Sequence, residues 1–452
     1  MKYEGHFLLW YIIILPFAKL GFPYFSMNIV SWIITCISVW LILDKAPFKF
    51  YKKALLIFTL PLLYLYPVVS RCYCLIPLAI VLMCMFYKDR KEKPFRYLIS
   101  VVILANTHVI MLGMVGVVLL EFLFELYKDS KNENRIEIKK RIKSFIITVV
   151  LLILSMLPLL SCLTTNSEIG EDGNLAIKVF NTFIYYPLEL VIKLFLHSKI
   201  NIIIAAIVIV TASATLFFES KNNLLCYIKI FICVLWQCAI YSFIYTLSAQ
   251  RAATIIFILL YYKWIYKCNE TKYGKYEKRI VNIGWIILLV LNIFTGLLFV
   301  AKYEFNYNYS NAFELGNYIN ENIKENSVIL NGPRAEFNSS IIPYINKDVK
   351  FYQIEGERYF SYTIWDEINK LEVNFEDIKN LKKHFDKEDN LYYVYCYGKF
   401  SKENPDINKN EQNMIDECMQ KGIFKLEYYT ETISITNENY ILYKIDLTNF
   451  DF

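Results

Sequence analysis

The chain has 452 residues, of which 56% are hydrophobic and 17% aromatic, and its mean hydropathy is positive. This balance excludes an ordinary soluble enzyme and indicates a polytopic membrane protein. A net charge of +6 would suit nucleic acid if it covered one face, but Lys and Arg gather in short loops between apolar runs, which makes them a topology signal and argues against such a partner.

The chain opens on Glu4-Gly5-His6, followed by an apolar segment broken by Pro16 and by Gly21 and Pro23. A membrane span needs about 20 apolar residues, so 1–24 reads as a juxtamembrane segment, with Trp10 and Tyr11 at an interface and Lys19 snorkelling. Without a basic leading region or a small-residue cleavage site it is not a signal peptide. Apolar runs follow at 25–44, 54–69, 72–87, 96–106, 107–127, 144–162, 200–218, 224–246, 252–266 and 281–301, about ten in all, several of them short for a span. The two that meet at Asn106-Thr107-His108 are not both expected to cross completely.

Basic loops alternate with loops poor in Lys and Arg. Lys45 to Lys53, Lys88 to Arg96, Lys128 to Lys143, Lys221 and Lys267 to Arg279 are placed in the cytoplasm by the positive-inside rule. The opposite side then holds Glu4 and His6, Arg71, the turn 106–108, the loop 163–199 and Gln250-Arg251, and the chain from Lys302 onward follows. An amino terminus outside with no helix before it is most simply explained by a missing first helix, with Met1 internal to a longer chain. Within 163–199, an acidic stretch precedes an amphipathic helix over 183–196, interrupted by Glu189 and Lys193, which is expected to lie on the outer surface.

The membrane domain is thus expected over 1–301 and a second domain over 302–452. The composition of the tail turns charged and Asn-rich. Ser310 suits the N-cap of a helix over 311–325, strands are expected at 328–330, 349–354, 391–396, 424–429 and 440–445, and helices near 375–386 and 410–420 separate them, the pattern of a small α/β domain. Of the eleven cysteines, most lie in apolar runs as small hydrophobes; Cys396 and Cys418 alone share the tail and could be bridged or reduced. Cys72 and Cys74 are too few for a zinc site.

Polar groups at the ends of several helices converge on one side: Glu4, His6, Arg71, Asn106, His108, Gln250 and Arg251. Such groups near an apolar layer are costly and are often kept for a task. An arginine fork suits a phosphate, and a carboxylate or histidine suits proton transfer or metal binding. Arg71 and Arg251 equally suit headgroup anchoring, and His108 a satisfied bundle histidine. What favours a site is the shared side.

Glu4-Gly5-His6 leading into Leu9-Trp10-Tyr11 and Lys19-Leu20-Gly21 resembles the acidic-x-His stretch of the C-type (GT-C) membrane glycosyltransferases, the group of protein O-mannosyltransferases and aminoarabinose transferases. Ser70-Arg71-Cys72-Tyr73 before a helix, Thr107-His108 opening another, and Gln250-Arg251 before a late helix are similar to bacterial members, in order and in sidedness. The resemblance covers 1–301. It implies a GT-C-like bundle of about ten helices with juxtamembrane helices and an extracytoplasmic α/β domain, in the bacterial cytoplasmic membrane. It implies inverting transfer of a sugar from a polyprenyl-phosphate donor to a lipid, glycan or protein acceptor, often with a divalent cation such as Mg or Mn. Arg71 and Arg251 would hold the lipid phosphate, Glu4 and His6 would line the acceptor side, His108 would border the cavity, and Asn106 and Gln250 would be further substrate-binding residues. Phe7 departs from the family's proline, and the family's first helix and its acidic first-loop residue have no counterpart before Glu4. That points to a truncated or inactive member, with Glu4 as the substitute base. Rival readings are a flippase for lipid-linked glycans and a non-catalytic membrane protein whose outer domain binds glycan.

Overall fold

The computed structural model describes residues 7–131, 135–163, 174–196, 202–220, 224–244, 247–267, 275–332, 338–362, 372–385, 390–397, 405–432, 434, 436 and 438–450. The chain divides into two compact units at Val300/Ala301.

The first unit is helical: α1 (Leu8–Lys19), α2 (Ser26–Lys45), α3 (Phe50–Ile57), α4 (Tyr66–Val68), α5 (Leu75–Phe86), α6 (Pro94–Ala105), α7 (Leu112–Asp129), α8 (Arg135–Leu163), α9 (Leu175–Phe180), α10 (Tyr186–Leu196), α11 (Ile202–Ser220), α12 (Leu224–Phe243), α13 (Ala249–Ala252), α14 (Thr254–Lys267) and α15 (Lys275–Asn306). Among the described residues five helices are long and apolar enough to cross a membrane: Ser26–Lys45, Val109–Asp129, Leu175–Phe195, Leu224–Phe243 and Tyr276–Ala301. Shorter apolar helices at Leu8–Lys19, Cys72–Phe86 and Pro94–Ala105 accompany them.

Among the described residues, then, fewer full-length spans are found than apolar runs in the sequence. The 12 residues of α6 measure about 18 Å, against about 30 Å of hydrocarbon. A short helix is tolerated where protein surrounds it. That holds for α5, which packs against α2, α6 and α14 and buries Ile76, Ala79, Ile80 and Val81 completely. The helix expected over 183–196 starts earlier, at Leu175, and passes through a π turn at Asn181–Tyr185 into α10. It buries the stripe Thr182, Leu190 and Leu194 and exposes Phe180, Phe183 and Ile184, so it is two-faced, yet its composition is also that of a span.

The second unit is a mixed sheet between helical layers, in strand order β3-β2-β1-β4-β6-β5. Its strands are β1 (Val328–Asn331), β2 (Lys350–Gln353), β3 (Arg358–Phe360), β4 (Leu391–Tyr397), β5 (Phe424–Tyr429) and β6 (Asn439–Ile445). β1 pairs in parallel with both β2 and β4, while β3, β5 and β6 run antiparallel to their neighbours. Alternation along each strand sorts the two faces. Val328, Leu330 and Tyr393 pack with Ile378 of α17 (Phe375–Asn380) and with Met414, Ile415 and Cys418 of α18 (Pro405–Gln420). Ile329, Tyr392 and Val394 pack with Leu315 and Ile319 of α16 (Ala312–Asn322).

The N-cap of α16 is Asn311, not Ser310, and the helix ends at Asn322; the Ser310 hydroxyl, one residue before the cap, accepts from the Ala312 N–H at 3.1 Å, and Asn374 and Asp377 form a capping box on α17. Five strands stand where the sequence pattern puts them, and β3 was not anticipated. Cys418 lies 3.8 Å from the Met414 sulfur in one layer, whereas Cys396 packs against the other, so the two do not bridge to each other.

Candidate functional site

Three turns of the first unit carry the polar groups, and in each the local sequence explains the break. Between α4 and α5, Ser70 takes a left-handed φ of 45° and Arg71 is extended before the 3-10 turn Cys72–Cys74. Arg71 is exposed and forms no ion pair among the described residues. After α6, two side chains bond back to the helix they end. Asn106 Nδ2 donates to the Val102 carbonyl at 2.9 Å and the Thr107 hydroxyl to that of Leu104 at 2.7 Å. His108 is extended, and its Nδ1 accepts the Ile110 N–H at 3.3 Å, which caps the 3-10 turn Val109–Met111. A ring that accepts at Nδ1 carries its neutral-form proton on Nε2. The third turn runs from Leu247 through α13. There the Thr254 hydroxyl donates to the Arg251 carbonyl at 2.7 Å while accepting from Gln237 Nε2 at 3.0 Å.

Tyr73 joins the three turns. Its ring stacks on His108, with centroids 5.1 Å apart, and on Tyr66 at 6.2 Å. Its hydroxyl accepts from Arg251 Nε at 3.2 Å. Arg71 stands one residue before Cys72 and two before Tyr73, at the start of the same 3-10 turn. On the far side of the stack, the Tyr66 hydroxyl donates to the Gln250 carbonyl at 3.2 Å, so one aromatic layer contacts both Gln250 and Arg251.

The structure thus gathers Arg71, His108, Gln250 and Arg251 around Tyr73, but in unequal roles. Arg71 is exposed, and Gln250 and Arg251 are half-buried. His108 is buried to 1% exposure and acts as a wall that holds Tyr73. Asn106 is also buried, and its amide is committed to its own helix end. Gln250 contributes its main-chain carbonyl. Glu4 and His6 lie outside the described residues.

Tyr66, Tyr73 and Thr254 were not singled out from sequence. Tyr73 had one signal, its place two residues after Arg71 in a turn; Tyr66 looked like any aromatic residue in an apolar run. Chemically, a guanidinium offers parallel donors that suit an oxyanion, and Arg251 is held on the Tyr73 hydroxyl in the turn next to the exposed Arg71. The divalent cation expected from the resemblance finds no group of three His, Cys, Asp or Glu placed to hold it among the described residues. Compared with models of known protein families and with curated protein sequences, the chain matches none.

Proposed function

We propose that the chain is a GT-C-like membrane glycosyltransferase that passes a sugar from a polyprenyl-phosphate donor to a lipid, glycan or protein acceptor outside the bacterial cytoplasmic membrane. The observation that carries this reading is the hydrogen bond from Arg251 to Tyr73, which ties the 247–252 turn to the turn that carries the exposed Arg71 two residues before Tyr73. The charge of the two arginines suits a lipid phosphate.

In this reading the acceptor oxygen or nitrogen forms a bond to the anomeric carbon as the bond from that carbon to the phosphate oxygen breaks. The electron pair leaves with the polyprenyl phosphate, whose growing charge the two guanidinium groups stabilise. Tyr73 fixes the aim of Arg251, and His108 and Tyr66 fix Tyr73. Glu4 and His6 belong to the acceptor side, with Glu4 taking the acceptor proton. The full set of about ten crossings, in which α5 and α6 count as short spans inside the bundle, and an extracytoplasmic tail are part of the proposal.

The test is transfer from a lipid-linked sugar in membranes that contain the chain. Arg251→Gln is expected to lower transfer by about a hundredfold, the usual scale for removing a preorganised donor from a developing anion. Undiminished transfer in both Arg71→Gln and Arg251→Gln would refute the phosphate assignment. Movement of the lipid across the bilayer without transfer would favour a flippase.

A further inference from the structure

The turn that carries Arg251 is fastened through its carbonyl groups. Those of Leu247, Gln250 and Arg251 each accept from a different side chain: Lys193 of α10 at 2.6 Å, Tyr66 at 3.2 Å and Thr254 at 2.7 Å. Lys193 provides the charged bond of the three, and a charge-assisted hydrogen bond is roughly twice as strong as a neutral one. Its Nζ is also 3.0 Å from Glu189 Oε1, one helical turn earlier on α10. A long lysine side chain loses much rotamer freedom when it is fixed, and an i,i+4 carboxylate reduces the freedom left to lose. A lysine that only anchored a helix in headgroups would direct its ammonium to water or lipid phosphate. This one is spent on the main chain of the neighbouring turn, four residues before Arg251.

We infer that Lys193, oriented by Glu189, is a positioning residue for Arg251, holding the 247–252 turn so that the guanidinium stays on Tyr73. The inference rests on the reading of Arg251 as a phosphate-holding group. The fastening itself does not, and this keeps the two separable by experiment. When the Lys193 bond is lost, the turn remains tied at Gln250 and Arg251, so the expected result is a looser arginine and not an unfolded bundle.

The full-length protein in nanodiscs is compared as wild type, Lys193→Met, Lys193→Arg and Glu189→Gln. The first readout is amide exchange at Ala252 and Ala253, whose N–H groups bond to the Ser248 and Ala249 carbonyls inside the turn. Lys193→Met is expected to speed this exchange by about tenfold, the scale of one lost charged hydrogen bond. Lys193→Arg, which can still reach the carbonyl, is expected to restore it, and Glu189→Gln to loosen it less than Lys193→Met. The second readout is transfer from a polyprenyl-phosphate sugar, in which Lys193→Met is expected to lower kcat as well as kcat/KM for the donor, by less than Arg251→Gln does, because Arg251 acts on charge that grows in the transition state. Exchange that is the same in wild type and Lys193→Met overturns the inference whatever the activity, as does an equal loss in Lys193→Arg. If the wild type transfers no sugar, the glycosyltransferase reading fails by itself and the exchange comparison still decides the role of Lys193.

Discussion

Two carboxyl groups in the second unit behave unlike surface acids. Glu411 of α18 is buried and accepts the Tyr393 hydroxyl at 2.5 Å, and desolvation pushes its carboxyl from the ordinary 4.5 up to about 8. Glu355, just beyond β2, has both carboxylate oxygens buried with no hydrogen-bond partner among the described residues. Desolvation raises it to about 8 as well; its own backbone N–H opposes the rise, repulsion from Glu411 and Asp377 adds to it, and Arg358 opposes it. Each group binds its proton more tightly in the folded chain than in the unfolded one. The stability this contributes is fully present below about 4.5 and is lost as pH rises through about 8. Amide exchange along β4, corrected for its intrinsic pH dependence, is therefore expected to lose protection progressively between about pH 5 and pH 8 and to level off above that. Glu411→Gln keeps an acceptor for Tyr393 without the charge, and is expected to flatten that loss. Identical pH profiles for the variant and the wild type would show that Glu411 is not the group responsible.

At the scale of elements, contact between helices is set by what is left off as much as by what is packed. A Cβ on Gly113, at the start of α7, would lie 2.5 Å from Cβ and Cγ of Trp236 on α12. The indole of Trp236 in turn donates to the Val109 carbonyl at 3.0 Å, in the turn that follows His108. Gly113→Ala is expected to force the two helices apart and to lower stability by about 1–3 kcal/mol, the cost of an overpacked contact. Gly116→Ala is its control, because nothing lies within 4 Å of a Cβ there; the better helix propensity of alanine is expected to leave stability equal or up to about 1 kcal/mol higher. Thermal unfolding of the purified variants reads both, and equal midpoints would remove the packing argument. The same scale shows what the sequence could disclose. Val328, Ile329 and Leu330, or Leu391 to Cys396, announce strands because β-branched and aromatic residues pack on a pleated surface. The three residues of β3 at the sheet's edge, Arg358-Tyr359-Phe360, carry too short a pattern to be seen. The polar turns at Arg71, His108 and Arg251 were visible as interruptions in apolar runs. The Tyr73 floor was not, because a tyrosine that stacks under a site has the same local sequence as one that merely fills a core.

At the scale of the molecule, the helical unit has two ends of different electrostatic character. Beside the basic loops, acids on the helices are matched by cations: Arg90 with Glu125 at 2.5 Å, Arg141 and Lys91 with Asp129 at 2.8 and 2.6 Å, Lys229 with Glu121, and Lys263 with Glu219. Beside the Arg71, His108 and Arg251 turns, Arg251 donates to a neutral hydroxyl and Arg71 has no carboxylate partner among the described residues. Lys193 pairs with Glu189 at this end too, so what it offers an anion is chiefly the exposed Arg71. If the basic loops are cytoplasmic, the positive-inside rule puts the Arg71, His108 and Arg251 turns outside, and the chain that leaves α15 is expected to emerge outside as well. An amine-reactive reagent that cannot cross membranes tests the assignment on intact cells without any substitution. Lys379 and Lys425, exposed on the tail, are expected to be modified, whereas Lys131 and Lys139, exposed beside α7 and α8, should react only after permeabilisation. The reverse pattern would turn the arginine pair toward the cytoplasm. Polyprenyl-phosphate sugars presented at the outer surface could then no longer be its ligands, although the pair would keep its preference for an oxyanion.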